Sequence, residues 1–422
     1  MDFKITEEYA LELDNKDPLK EYRSQFHIPV INGKESIYFT GNSLGLQPKT
    51  TKQYLEEELE DWKNLGVEGH FHAKHRPWFH YHKFTKVLLA EIVGAKPIEV
   101  VSMNNLTSNL HLMMVSFYQP TNKRYKIIME GGAFPSDQYA VESQVKFHGL
   151  KPSEAIVEIF PRSGEDTLRT EDIIDVIKEH GGSVALVLFS GVQYYTGQYF
   201  DIRSITSSAH EVGAFAGFDL AHAVGNVKLD LHDSGADFAT WCSYKYLNSG
   251  PGGVSGIFVH ERHANNSELP RFAGWWGHDE GQRFKMEKGF IPMEGADGWQ
   301  LSNVNVLSSA AHLASLKIFE EAGLEALRKK SSQLTNYLRY LLKSLNSDLI
   351  NIITPDSEGA YGCQLSIVIK EKGKKVFDEL TKAGVIADWR EPEVIRVAPV
   401  PLYNTFKDVY TFYSILKKTM NL

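Results

Sequence analysis

At 422 residues the chain exceeds one ordinary domain of roughly 100 to 200 residues, so it predicts two domains sharing a cleft. An apolar fraction of 42% against 23% charged residues excludes a disordered chain, and a formal charge of −8 excludes the broad basic footprint of a nucleic-acid or anionic-membrane binder. Two cysteines outside any CxxC spacing exclude a disulfide framework and point to a reducing cytoplasm, while no signal pattern opens the chain and no apolar run approaches a membrane span.

Between about Thr50 and Val259 short β-rich runs alternate with helical patterns. The runs begin at Val100, Lys126, Val184, Ala214 and Phe238, and this alternation predicts a mainly parallel sheet covered by helices, with sites at the strand C-terminal ends. The turn-rich stretch from Gly250 to Gly256 leads into one more strand, Ile257 to Val259, that ends the core of this domain. From about Gly323, leucines at 324, 327, 334, 338, 341 and 345 keep a helical spacing. A smaller α+β domain follows, with strands near Gln364, Val385 and Val394 and a last amphipathic helix marked by Phe406, Val409, Tyr413 and Leu416.

Chemistry concentrates at strand ends. Asp219 closes an apolar strand, and Lys245 follows the next strand beside Tyr244 and Trp241. A buried carboxylate needs a partner to offset desolvation, and a pyridinium N–H is one; a lysine flanked by aromatic groups is poorly placed for solvent alone. The pair suits pyridoxal phosphate (PLP), whose ring nitrogen the carboxylate keeps protonated while the lysine amine links to the aldehyde. Taken singly, Asp219 reads as a turn or N-cap residue and Lys245 as a surface lysine. His222 is close enough to bond Asp219 or approach the cofactor, or is a satisfied core histidine.

Other segments are weaker alone. Leu106 and Thr107 open a helical pattern whose free N–H groups would hold a phosphate, although plain capping explains the same residues. Phe134, Pro135, Ser136 and Asp137 either lay a ring on the cofactor or make a turn. Arg396 interrupts an apolar strand, as suits bidentate capture of a carboxylate, although alternation alone could turn it to solvent. The histidines at 70, 72, 75, 80 and 82 lack the spacing of a zinc site, so no metal is expected; a gating or substrate-contacting loop anchored by Arg76, Pro77 and Trp78 fits better. Cys242 and Cys363 read as small buried hydrophobes, which argues against a desulfurase that needs a mobile thiol.

Set in order, the blocks FTGNSLGLQP from Phe39, FPSD from Phe134, FDLAHAVGN from Phe218, WCSYKYLN from Trp241 and RVAPVPLYN from Arg396 closely resemble the kynureninases, from about residue 20 to the C-terminus. The resemblance implies the PLP-dependent transferase architecture of fold type I, an α/β fold with a mainly parallel seven-stranded sheet and a smaller α+β domain, in a homodimer with sites at the subunit interface. It implies a division into an N-terminal arm with part of the small domain (1–48), a large PLP-binding domain (49–310) and a C-terminal small domain (311–422). It makes Lys245 the Schiff-base lysine, Asp219 the pyridinium partner and Tyr244 a proton donor. Leu106, Thr107, Phe134 to Asp137, Ser190, His222 and Tyr244 then line the cofactor, with Trp275 and Asn303 supplied by the neighbouring subunit. Ser43, His70, Trp276, Ser302, Asn303 and Arg396 correspond to substrate contacts. The implied reaction is hydrolytic cleavage of L-kynurenine or 3-hydroxy-L-kynurenine; another reaction of the same fold, transamination or sulfur removal, is the alternative.

Overall fold

The structure, a computed structural model, describes residues 3–422. Seven strands form the central sheet: β1 (Val100–Ser102), β2 (Lys126–Glu130), β3 (Ile156–Ile159), β4 (Val184–Ser190), β5 (Phe215–Asp219), β6 (Phe238–Trp241) and β7 (Gly256–Val259). Their spatial order is β1-β7-β6-β5-β4-β2-β3. Strands β2 to β6 run parallel, and β7 lies antiparallel to both β6 and β1. This is the mainly parallel α/β sheet that the alternation predicts.

The central strand β4 shows why the layers form. From Leu186 onward its side chains alternate between faces, so Val187 and Phe189 enter one core while Leu186 and Leu188 enter the other. Before that the register against β2 slips by one residue, which sets Val184 in the first core and Ala185 in the second, and no polar residue interrupts the run before Ser190. Helices Thr170–His180 and Ile202–Glu211 cover the first face through Ile173, Ile177, Ile202 and Ile205. Helices Leu106–Phe117 and Pro135–Phe147 cover the second through Leu110, Met113, Phe117, Val141 and Val145.

Helix Val306–Ala322 packs on helices Thr51–Leu65 and Tyr81–Val93. It stops at Gly323, whose φ of 75° lies where a side chain is disfavoured, and the leucine-spaced helix Leu324–Ser344 then begins. The last sheet is antiparallel, with strands β8 (Ile350–Ile352), β9 (Leu365–Ile369), β10 (Asp388–Arg390) and β11 (Val394–Val397) in the order β8-β9-β11-β10. Helices Leu324–Ser344 and Phe406–Met420 share its core through Leu334, Leu338, Val409 and Leu416. Val385–Ile386 pairs outside that sheet, in parallel with Ile37–Tyr38 of the N-terminal segment. Among the described residues no helix is long and apolar enough to cross a membrane.

Candidate active site

Parallel register brings the polar C-terminal ends of neighbouring strands together: Glu130 ends β2, Ser190 ends β4 and Asp219 ends β5, with Ser190 and Asp219 directly paired. They line a cavity of about 270 Å³ together with Thr107, Tyr244, Lys245 and Arg396. Glu130 accepts hydrogen bonds from the Ser190 amide and hydroxyl. Burial raises Glu130 to about 7. Asp219 accepts from the Ala221 amide at 2.7 Å and borders the same cavity as Asp137. Burial raises both of these carboxyls, and the Asp219 charge raises Asp137 further.

Lys245 lies in the loop after β6. Its Nζ stands 2.9 Å from His222 Nε2 and 5.9 Å from the centre of the Phe134 ring. Burial and the Lys245 charge push His222 well down, which keeps the imidazole neutral, and its Nδ1 has no protein partner. The structure sets His222 against the lysine amine, a contact the sequence reading did not name, and not hydrogen-bonded to Asp219. The N-terminal segment closes over this loop: the Gly45 amide donates to the Tyr244 carbonyl at 2.8 Å. A Cβ on Gly45 would sit 2.2 Å from the Lys245 carbonyl oxygen, so only glycine permits the approach that carries Ser43 into the cavity.

At another part of the cavity the helix Leu106–Phe117 begins, capped by Asn105, whose side chain accepts from the Ser108 amide. The Thr107 and Ser136 hydroxyls meet at 2.9 Å. Pro135 does not form a simple turn; it is the first residue of helix Pro135–Phe147, which its fixed φ favours, and this places Phe134 at the cap with its ring edge-on to Tyr194 at 5.2 Å. Arg396, wholly buried on β11, faces the cavity and not solvent. Its Nη1 donates to the Tyr194 carbonyl at 2.7 Å and its Nη2 to Asp388 at 2.6 Å.

His70, Trp275, Trp276, Ser302 and Asn303 do not line the cavity of their own chain. His70 shares a separate surface groove with Val304 and Asn305. Trp275 is 41% exposed, whereas Trp276 is buried under the Arg283 guanidinium, 4.5 Å from its ring. The anchor of the histidine segment is built as the sequence suggests: Arg76, Trp78 and Tyr81 all donate to Glu58 on helix Thr51–Leu65. Sequence reasoning missed Glu130, Asn42, Tyr194 and Arg390 as cavity residues. A polar residue ending an apolar strand, the signal used for Asp219, would have found Glu130.

The chain is 56% identical over 421 residues to the kynureninase of Flavobacterium psychrophilum, covering 99% of each. It belongs to the kynureninase family. It is also 54% identical to the Myxococcus xanthus kynureninase, over 98% of this chain and 97% of that one, and residues 327–416 match the model of the kynureninase C-terminal domain. Among solved structures it is similar in fold to a cysteine desulfurase from Thermococcus onnurineus (TM-score 0.76, 19% identity, 96% and 98% of the two chains). It is similar also to a C-DES mutant with glycine covalently linked to its PLP cofactor (TM-score 0.75, 15% identity, 90% and 96%). The cofactor of this family member is PLP, and the cavity fits it. Lys245 offers the amine, Asp219 is a buried carboxylate suited to a ring N–H, His222 leaves a buried nitrogen unpartnered, and paired hydroxyls beside a helix N-terminus suit a phosphate.

Proposed function

We propose that this cleft hydrolyses the Cβ–Cγ bond of L-kynurenine or 3-hydroxy-L-kynurenine, releasing anthranilate or 3-hydroxyanthranilate and L-alanine. The observation that carries the reading is Lys245, whose amine shares one cavity with Asp219, His222 and Arg396 in a chain of this family.

Bound PLP supplies an electron sink for charge developing at the substrate Cα. The protein does the rest. The Thr107 and Ser136 hydroxyls and the Leu106 and Thr107 amides hold the phosphate, Phe134 covers the ring, and Ser190, ordered by Glu130, borders it. Asp219, buried at the end of β5, holds the proton of the ring nitrogen. Lys245 moves the Cα proton, with neutral His222 accepting a hydrogen bond from its ammonium form. Water adds to the γ-carbonyl, the Cβ–Cγ bond breaks, and Cβ takes a proton from Tyr244, whose hydroxyl burial keeps protonated. Arg396 fixes the α-carboxylate so that the scissile bond lies over these groups.

The assembly is a homodimer in which Trp275 and Asn303 reach the cofactor of the partner subunit, and His70, Trp276 and Ser302 border its substrate beside Ser43 of the chain that binds the cofactor. The position of these residues off their own cavity supports that arrangement. The chain divides into arm (1–48), PLP-binding domain (49–310) and small domain (311–422). The place of action is the cytoplasm, and the role is tryptophan degradation or NAD biosynthesis. Transamination or sulfur removal is not favoured; Cys242 and Cys363 are buried, and burial pushes both thiols up, away from the reactive thiolate. Incubation of the purified holoenzyme with L-kynurenine should release fluorescent anthranilate and alanine in equal amounts. Keto acid without anthranilate, or sulfide from cysteine, would overturn the reading.

A further inference from the structure

Three charged side chains share one face of the small sheet at the rim of the cleft. Antiparallel pairing sets Asp388 directly opposite Arg396, and Arg390, two residues along β10, returns to the face that Asp388 occupies. Arg396 Nη2 donates to Asp388 Oδ2 at 2.6 Å, Arg390 Nε stands 3.0 Å from Oδ1, and Arg390 Nη2 donates to Oδ2 at 3.2 Å. Both arginines line the cavity, and the buried Arg396 Nε has no protein partner. Burial opposes the charge on Arg396, and Asp388 favours it. One carboxylate between two guanidiniums leaves a single positive charge in excess, the complement of one more carboxylate. Without Asp388, two guanidiniums would repel each other, and the buried one would keep only the Tyr194 carbonyl and lose its one charged partner.

We propose that Asp388 is a positioning residue for carboxylate recognition: it holds the Arg396 guanidinium in place and draws Arg390 beside it as a second contact for the α-carboxylate of the amino acid. The proposal rests on the reading of Arg396 as the primary carboxylate contact.

The test uses holoenzyme and two small ligands, L-alanine and L-alaninamide, which differ in the carboxylate; binding is read from the cofactor absorbance. The wild-type protein should prefer L-alanine. Asp388→Asn and Arg390→Gln should each cut that preference about 10- to 100-fold, the range for loss of a hydrogen bond to a charged group, and raise the KM for L-kynurenine more than they lower kcat. Asp388→Glu should restore part of it. Equal losses for both ligands in Asp388→Asn would make the residue merely structural and overturn the proposal; if that variant fails to fold, an unchanged preference in Arg390→Gln overturns it instead. A wild-type protein with no preference, or Arg396→Lys with its preference intact, would sink the underlying reading of Arg396 as well.

Discussion

The amine of Lys245 and the Nε2 of His222 stand 2.9 Å apart, with the imidazole held neutral by burial and by the lysine charge. That contact gives the lysine a fixed direction and an acceptor for its ammonium form. Replacing Lys245 with Ala should therefore remove the covalent link to PLP that borohydride traps, and lower turnover by about 10²- to 10⁴-fold or more, the scale of a lost acid–base group. Peptide mapping of the reduced protein checks this. A trapped adduct on another lysine would show that the amine has been misassigned.

Glu130 gives the apoprotein a pH-dependent stability of known sign. Burial raises it to about 7, whereas an unfolded glutamate titrates at about 4.3. Between those values the folded chain keeps a proton that the unfolded chain has lost. The contribution is thus complete below the lower value and declines until pH passes the higher one. From pH 5 to 8 the loss should be about 2 to 3 kcal/mol. His82 and His312, pushed down to about 3 by burial, slope the other way, so the comparison must be with Glu130→Gln, in which they are unchanged. Urea melts of both apoproteins should show the variant gaining on the wild type as pH rises. A constant gap would mean that Glu130 is ionised throughout.

Gly217 lies in the middle of β5, two residues before Asp219. A Cβ there would fall 2.0 Å from the Phe238 ring, which is stacked on Phe117 with centroids 5.0 Å apart. The rings have packed neighbours and little freedom to retreat, so Gly217→Ala should cost about 1 to 3 kcal/mol, the usual range for overpacking. Because the same strand carries Asp219, PLP should also bind more weakly. Thermal melts and a PLP titration measure the two effects separately, and an unchanged Tm would show that the strand yields at no cost.

The parts most legible in the sequence were those governed by local pattern. The apolar run from Val184 to Phe189 is too short for an ordinary helix and suits a strand buried on both faces, and Asp219 and Lys245 stand where such strands end. Less legible were features set by tertiary pairing. The edge strand β3 carries Glu158 and is only partly buried, so its pattern is weak. The antiparallel direction of β7 leaves no local trace. Asp388 and Arg390 read as an ordinary charged stretch until the register with β11 sets them against Arg396. Pro135 shows the opposite failure: a proline that suits a turn equally suits the first turn of a helix, and only the burial of Val141 and Val145 decides between them.

The five residues that stand off their own cavity make the dimer testable through function. If Asn303 serves the partner's site while Lys245 serves its own, Lys245→Ala and Asn303→Ala damage different chains of the same site. Each homodimer then has two impaired sites. A heterodimer of the two variants would place both lesions in one site and leave the other intact. After subunit exchange in an equal mixture, half of the dimers are heterodimers with one competent site each, so activity should recover to about a quarter of the wild-type value. Measuring anthranilate release before and after exchange decides the matter. Activity that stays at the mean of the two parent variants would place Asn303 and Lys245 in the same chain's site.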